Sequence, residues 1–194
     1  MTMMRPNQLD RARTCVLVID IQEKLLPLIR NHERVTQACV KLLRGLSVFA
    51  APIVVTEQYP KGLGGTVSSI CDALGEAEYR VLEKPTFSAW ADPVVREALI
   101  AHDRPQIVVI GIEAHVCVQQ SVLDLVSRDY DTFVCADAIG SRGTGDYECA
   151  LHRMRQEGAW VTTVESVLFE ICHRCDGPDF KRMLEVIKAF PPAD

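Results

Sequence analysis

The chain has 194 residues, 48% of them hydrophobic and 24% charged, with a formal net charge of −5. That length holds one domain, or at most two small ones, with a sizeable core. The acidic balance provides no basic field for nucleic acid or an anionic membrane, and no apolar run approaches the ~20 residues that span a bilayer.

Met1–Arg13 reads as an N-terminal arm; no apolar core follows its charges, so it does not read as a signal peptide. Thr14–Ile19, TCVLVI, predicts a buried strand that ends on Asp20. A helix is expected over Glu33–Phe49, where Val35, Ala38, Leu42, Leu43, Leu46 and Phe49 recur at three- and four-residue steps. Pro52 precedes a second strand, Ile53–Thr56, and the Gly- and Pro-rich Glu57–Gly65 predicts a loop. A third strand, Tyr79–Leu82, leads into Glu83, Lys84 and Pro85. Asp92 before Pro93 supplies N-cap chemistry for a helix reaching Ala101.

The most informative stretch is Gln106–Ser121, QIVVIGIEAHVCVQQS. Its β-branched run Ile107–Ile110 is the composition of a strand buried on both faces. Cys117 then stands at the head of a helical segment, Val118–Ser127, where converging N–H groups and the helix dipole favour a thiolate. Strands Thr132–Ala136 and Trp160–Thr163, with helices Asp146–Glu157 and Phe180–Ala189, complete the chain. Strands alternating with helices indicate α/β architecture: a single domain over 1–194, three layers α/β/α, with a mostly parallel six-stranded sheet. Periodicity leaves the strand order open.

Three predicted strand ends carry a reactive side chain: Asp20, Lys84 and Cys117. In a parallel sheet such ends share one rim, where ligands bind. A thiol needs a base or a positive field to become a nucleophile; Asp20 suits the first role and Lys84 the second. Each residue also has a plainer reading: Asp20 as a turn cap, Lys84 as a surface charge, Cys117 as packing.

DIQEKL after the first strand, the lysine of EKPTFSAW, and GIEAHVCV after the fourth resemble the isochorismatase-like cysteine hydrolases, over about Thr14–Thr163. EQYPKGLG points to the subgroup of isochorismatase-domain-containing proteins. The resemblance implies the strand order 3-2-1-4-5-6 and an Asp20, Lys84, Cys117 triad. It also implies a cis peptide between Ile112 and Glu113, so that the backbone N–H groups of Glu113 and Cys117 form an oxyanion hole. Homo-oligomers, dimeric or larger, are usual in the family.

Departures from the family narrow the reading. Nicotinamidases carry an Asp-x-His…His metal site after the second strand; here Glu57, Gln58 and Tyr59 stand there, and the five histidines (His32, His102, His115, His152 and His173) make no zinc pattern. No metal and no cofactor are therefore expected. Isochorismatases that cleave a vinyl ether lack the cysteine, so Cys117 points away from that reaction. Ala114 replaces a threonine common in the family. Tyr59, Phe87 and Trp90 are read as a substrate-pocket wall or, equally, as subunit-interface residues. His115 is read as structural. Cys172 and Cys175 form a lone CxxC that reads as two plain thiols, and Arg142-Gly143-Thr144-Gly145 lacks the residues of a phosphate loop. The sequence thus predicts a cytoplasmic, metal-independent hydrolase acting on a small amide through a Cys117 thioester. A catalytically silent scaffold and a thiol redox protein on the same fold are the alternatives.

Overall fold

A computed structural model describes residues 8–75 and 79–191. Six parallel strands form one sheet in the order β3-β2-β1-β4-β5-β6. They are β1 (Thr14–Ile19), β2 (Ile53–Gln58), β3 (Tyr79–Lys84), β4 (Gln106–Ile112), β5 (Asp131–Gly140) and β6 (Trp160–Thr162). The helices are α1 (His32–Ser47), α2 (Pro60–Leu63), α3 (Ser68–Leu74), α4 (Pro93–Ala101), α5 (Gln119–Val126), α6 (Thr144–Gln156), α7 (Val164–Cys172) and α8 (Pro178–Ala189).

Strand alternation explains the layers. Val16, Val18, Val108 and Ile110 point to one face and meet α1, α3, α7 and α8. Cys15, Leu17, Ile107 and Val109 point to the other and meet α4, α5 and α6. The central strands β1 and β4 are buried along their whole length, which is why they read as unbroken apolar runs. The single α/β domain of order 3-2-1-4-5-6 is thereby established.

Several elements differ from the sequence expectation. The stretch read as loop after Thr56 instead continues β2 through Gln58 and then forms the short helix α2. Two helices went unread, although both carry apolar residues at helical steps: Ile70, Ala73 and Leu74 in α3, and Val164, Val167, Leu168 and Ile171 in α7. Residues 1–7 of the expected arm lie outside the described residues. Residues 8–13 are tied down: Leu9 is buried, its N–H donates to Glu170, and the Asp10 N–H donates to Gln106.

Gly111 fixes how closely β4 approaches β1. Its φ is +126°, and a Cβ there would lie 2.1 Å from the carbonyl oxygen of Ile19. Neither strand backbone has room to yield. Gly111→Ala is expected to lose more than about 3 kcal/mol of stability, combining a disallowed φ with a backbone clash. Urea unfolding followed by far-UV circular dichroism measures it; a loss under about 1 kcal/mol would contradict the close approach.

Candidate functional site

The order 3-2-1-4 brings the ends of four strands level. Ile19 pairs with both Thr56 and Gly111, and Gln58 pairs with Lys84. Asp20 follows β1 with φ at 53°, its N–H donating to the Thr56 carbonyl. Its carboxylate then accepts from the Thr56 hydroxyl at 2.7 Å and from Lys84 Nζ at 2.7 Å. Both side chains of this ion pair are fully shielded from solvent. Lys84 also donates to Gln58 Oε1 at 2.8 Å and to the carbonyls of Thr86 and Phe87 at 3.1 and 3.2 Å. A buried ammonium is tolerated only when paired and hydrogen-bonded, and here three N–H bonds meet four acceptors.

The peptide bond between Ile112 and Glu113 is cis. Beyond it, one π-helical turn, Ala114–Val118, runs directly into α5, and the Glu113 carbonyl accepts from the N–H groups of Val116 and Val118. Cys117 lies in this turn, buried, with Sγ 3.9 Å from Gln58 Oε1. Glu113 is nearly buried and its carboxylate accepts from Arg142 Nε at 3.0 Å; His115 Nδ1 lies 3.0 Å from Ser141 Oγ. Ala114 packs in the core behind the sheet.

The thiol is not held as a thiolate. Its pKa is pushed up to about 12, first by burial and then by the charge of Asp20, with Lys84 pulling the other way. The helix start favours a thiolate, as the sequence suggested, but desolvation and a neighbouring carboxylate outweigh it. The proton therefore rests on sulfur until a base removes it.

The expected aromatic wall is only partly present. Tyr59 and Phe87 are 63% and 54% exposed. Trp90 is instead drawn into the core, edge-to-face against Tyr130 and under the Arg128 guanidinium, two residues of the connection between α5 and β5. Cys172 and Cys175 are free thiols at the end of α7, Cys172 touching the Arg174 carbonyl. Gly143 and Thr144 begin α6, with the Asp146 carboxylate against Gly143.

Two glutamines at the site went unread. Gln58 bridges Lys84 and the thiol, while Gln22 locks Gln58 from behind by accepting its N–H and donating to its carbonyl. The only sequence signal was the register of β2 against β3, which composition does not carry. Where nicotinamidases hold a metal, Glu57 here accepts from both the N–H and the hydroxyl of Thr66. Among the described residues no group of three or more His, Cys, Asp or Glu side chains is arranged to hold a metal ion.

An open parallel sheet with polar side chains gathered where its strand order reverses defines a doubly wound α/β protein with its site at the strand ends. More particularly, the chain belongs to the isochorismatase family: the isochorismatase domain model matches residues 14–166. Isochorismatase family protein 1B of Dictyostelium discoideum is 34% identical over 90% of this chain and 86% of that one. The MAR1 ribonuclease of Caenorhabditis elegans superposes with a TM-score of 0.89 at 32% identity, covering 95% of each chain. YcaC of Escherichia coli, an octameric hydrolase of unknown specificity, shares the fold, with a TM-score of 0.88 at 24% identity over 96% of this chain and 93% of that one.

The charges around the sulfur generate a signed prediction. Asp20 raises the thiol pKa and Lys84 lowers it, so Asp20→Asn removes the raising charge and leaves the lowering one. Cys117 in Asp20→Asn should therefore be alkylated by iodoacetamide severalfold faster at pH 8 than in the parent, with peptide mass spectrometry as the readout. An unchanged rate in a variant whose circular dichroism is native would mean that Asp20 does not act on this sulfur, and a slower rate would mean that its role as proton acceptor outweighs its charge.

Proposed function

We propose that Asp20, Lys84 and Cys117 form the catalytic triad of a metal-independent hydrolase that cleaves a small amide. The observation that carries this reading is the arrangement around one sulfur. A protonated thiol feels both Asp20 and Lys84, and those two groups are themselves ion-paired at 2.7 Å in a dry site. Family membership supports a hydrolase.

In this reading the Cys117 proton passes to Asp20 as Sγ attacks the amide carbonyl carbon. The carbonyl π-bond opens and its oxygen takes the charge, stabilised by the backbone N–H groups of Glu113 and Cys117. Collapse breaks the C–N bond, and the amine leaves with the proton from Asp20. Water then adds to the thioester, giving a proton to Asp20; expulsion of sulfur releases the carboxylic acid, and the proton returns to Cys117. Lys84 offsets the carboxylate charge while sulfur is anionic. Tyr59 and Phe87, exposed beside this site, are the pocket residues of the proposal, with Trp90 acting from behind through packing.

An RNA-cleaving reading comes with the C. elegans relative, named as a ribonuclease. The net charge of −5 supports the amide reading instead, since a polyanion is gripped by Lys and Arg contacts. The same reading takes the protein as a cytoplasmic homo-oligomer, in line with the octameric E. coli YcaC. Among the described residues no helix is long and apolar enough to cross a membrane.

A library of small amides, assayed for released amine, should yield a substrate. Cys117→Ala and Asp20→Asn should each lower its turnover by about 10³-fold or more, as loss of one member of a concerted set does. Turnover that survives Cys117→Ala rejects the thioester route, and RNA cleavage lost in Cys117→Ala with every amide inert favours the ribonuclease reading. A functional switch that follows a reversible Cys172–Cys175 disulfide would instead favour redox work.

A further inference from the structure

Cys117 opens a run of side chains that continues along α5. Ser121, Asp124 and Arg128 follow it at steps of four, three and four residues, the spacing of one helix face. That face meets the connection between β3 and α4, residues 85–92, at three consecutive positions. Asp124 accepts from the Ser88 hydroxyl at 2.6 Å, Ser121 Oγ accepts from the Ala89 N–H at 2.8 Å, and the Arg128 guanidinium lies 5.5 Å from the centre of the Trp90 ring. The same connection supplies the Thr86 and Phe87 carbonyls that receive Lys84 Nζ. One helix therefore carries the sulfur at its head and holds the acceptors of the ammonium along its side.

Ser121 is the member of this run nearest the sulfur. Its hydroxyl donates to the Cys117 carbonyl at 2.6 Å while accepting the Ala89 N–H, and Ser121 and Ala89 are both fully buried. A serine bonded back to the carbonyl four residues earlier is ordinary in helices. Here the same oxygen also satisfies a buried N–H from a different connection, outside any helix or strand ladder. On its other side the Cys117 turn is fastened to the residues after β5, through Glu113–Arg142 and His115–Ser141. Lys84 is fastened to the ends of β1 and β2, through Asp20 and Gln58. Ser121 joins these two halves by a direct, solvent-free contact.

We propose that Ser121, with Asp124 behind it, is a positioning residue that sets the distance between the Lys84 ammonium and Cys117 Sγ by holding residues 86–89 against the turn that carries the thiol. The inference deepens the proposed function and rests on its triad. Lys84 is the group that favours the thiolate against burial and the Asp20 charge. The attraction between charges falls with distance, so a looser connection costs the sulfur part of this support.

The test reads iodoacetamide labelling of Cys117 in the full chain at pH 8 by peptide mass spectrometry, with the exposed Cys149 as internal standard. Ser121→Ala should label Cys117 about fivefold or more slowly than the parent, and Ser121→Thr, which keeps the hydroxyl, should restore the rate to within about twofold. A purely packing role has the opposite sign, because a loosened helix admits water and reagent to a sulfur that burial had shielded. In the Asp20→Asn/Lys84→Met background, where no charge remains to be positioned, Ser121→Ala should no longer slow labelling. Labelling in Ser121→Ala that is unchanged or faster, with native circular dichroism, overturns the proposal; so does slowing of equal size in the uncharged background. Should Ser121→Ala not fold, Asp124→Ala, at a partly exposed position of the same face, takes its place. Slowed labelling there supports the proposal, and an unchanged or faster rate overturns it. Labelling needs no substrate, so an inert amide library would remove the proposed reaction and leave the positioning result standing.

Discussion

The ion pair between Lys84 and Asp20 is the constraint on which the site depends. Neither charge is stable alone in a solvent-free interior, and removing one partner of such a pair typically costs 3–5 kcal/mol. The residues belong to strands that are not neighbours: β3 and β1 are separated by β2. The gap is closed from both sides, by Thr56 and Gln58 at the end of β2 and by the backbone after β3, which turns its Thr86 and Phe87 carbonyls onto the ammonium. Four of the polar groups at the rim, Thr56, Gln58 and the carbonyls of Thr86 and Phe87, answer the demand of one or other of these two charges.

The thiol sits within that field without being ionised by it. Burial and the Asp20 charge outweigh Lys84, so the sulfur keeps its proton at neutral pH. This suits a site in which the carboxylate is a base rather than a spectator: a nucleophile formed only during attack is protected from oxidation and stray alkylation. The loop that carries it is fastened on the far side by Glu113–Arg142 and His115–Ser141, so its geometry depends on β5 as much as on β4. A site of this kind is held by two neighbouring connections, the one after β4 and the one after β5.

Much of the fold was legible because the central strands are buried on both faces. TCVLVI and IVVI leave no polar side for a helix to expose, and β4 runs on through Gly111 to Ile112 before it stops. Helices α3 and α7 were missed although their apolar spacing was helical, since short helices compete poorly with loop chemistry in a sequence. The burial of Trp90 was not legible for a related reason: an aromatic in a loop-like stretch does not reveal whether neighbouring elements will cover it. The Asp20, Lys84 and Cys117 positions were legible as strand ends, and Gln58 was not, because its meaning lies in a cross-strand register.

The sequence alone determined which residues are apolar, where strands must end, and that Asp20, Lys84 and Cys117 follow or close those strands, because these are local properties of composition and spacing. Only the tertiary structure decided that the lysine is fully dry and paired, that Gln58 stands between it and the sulfur, and that the thiol is protonated. Those outcomes depend on distances between segments 26 to 97 residues apart, where desolvation and Coulomb forces act across space and the order of residues along the chain carries no record of them.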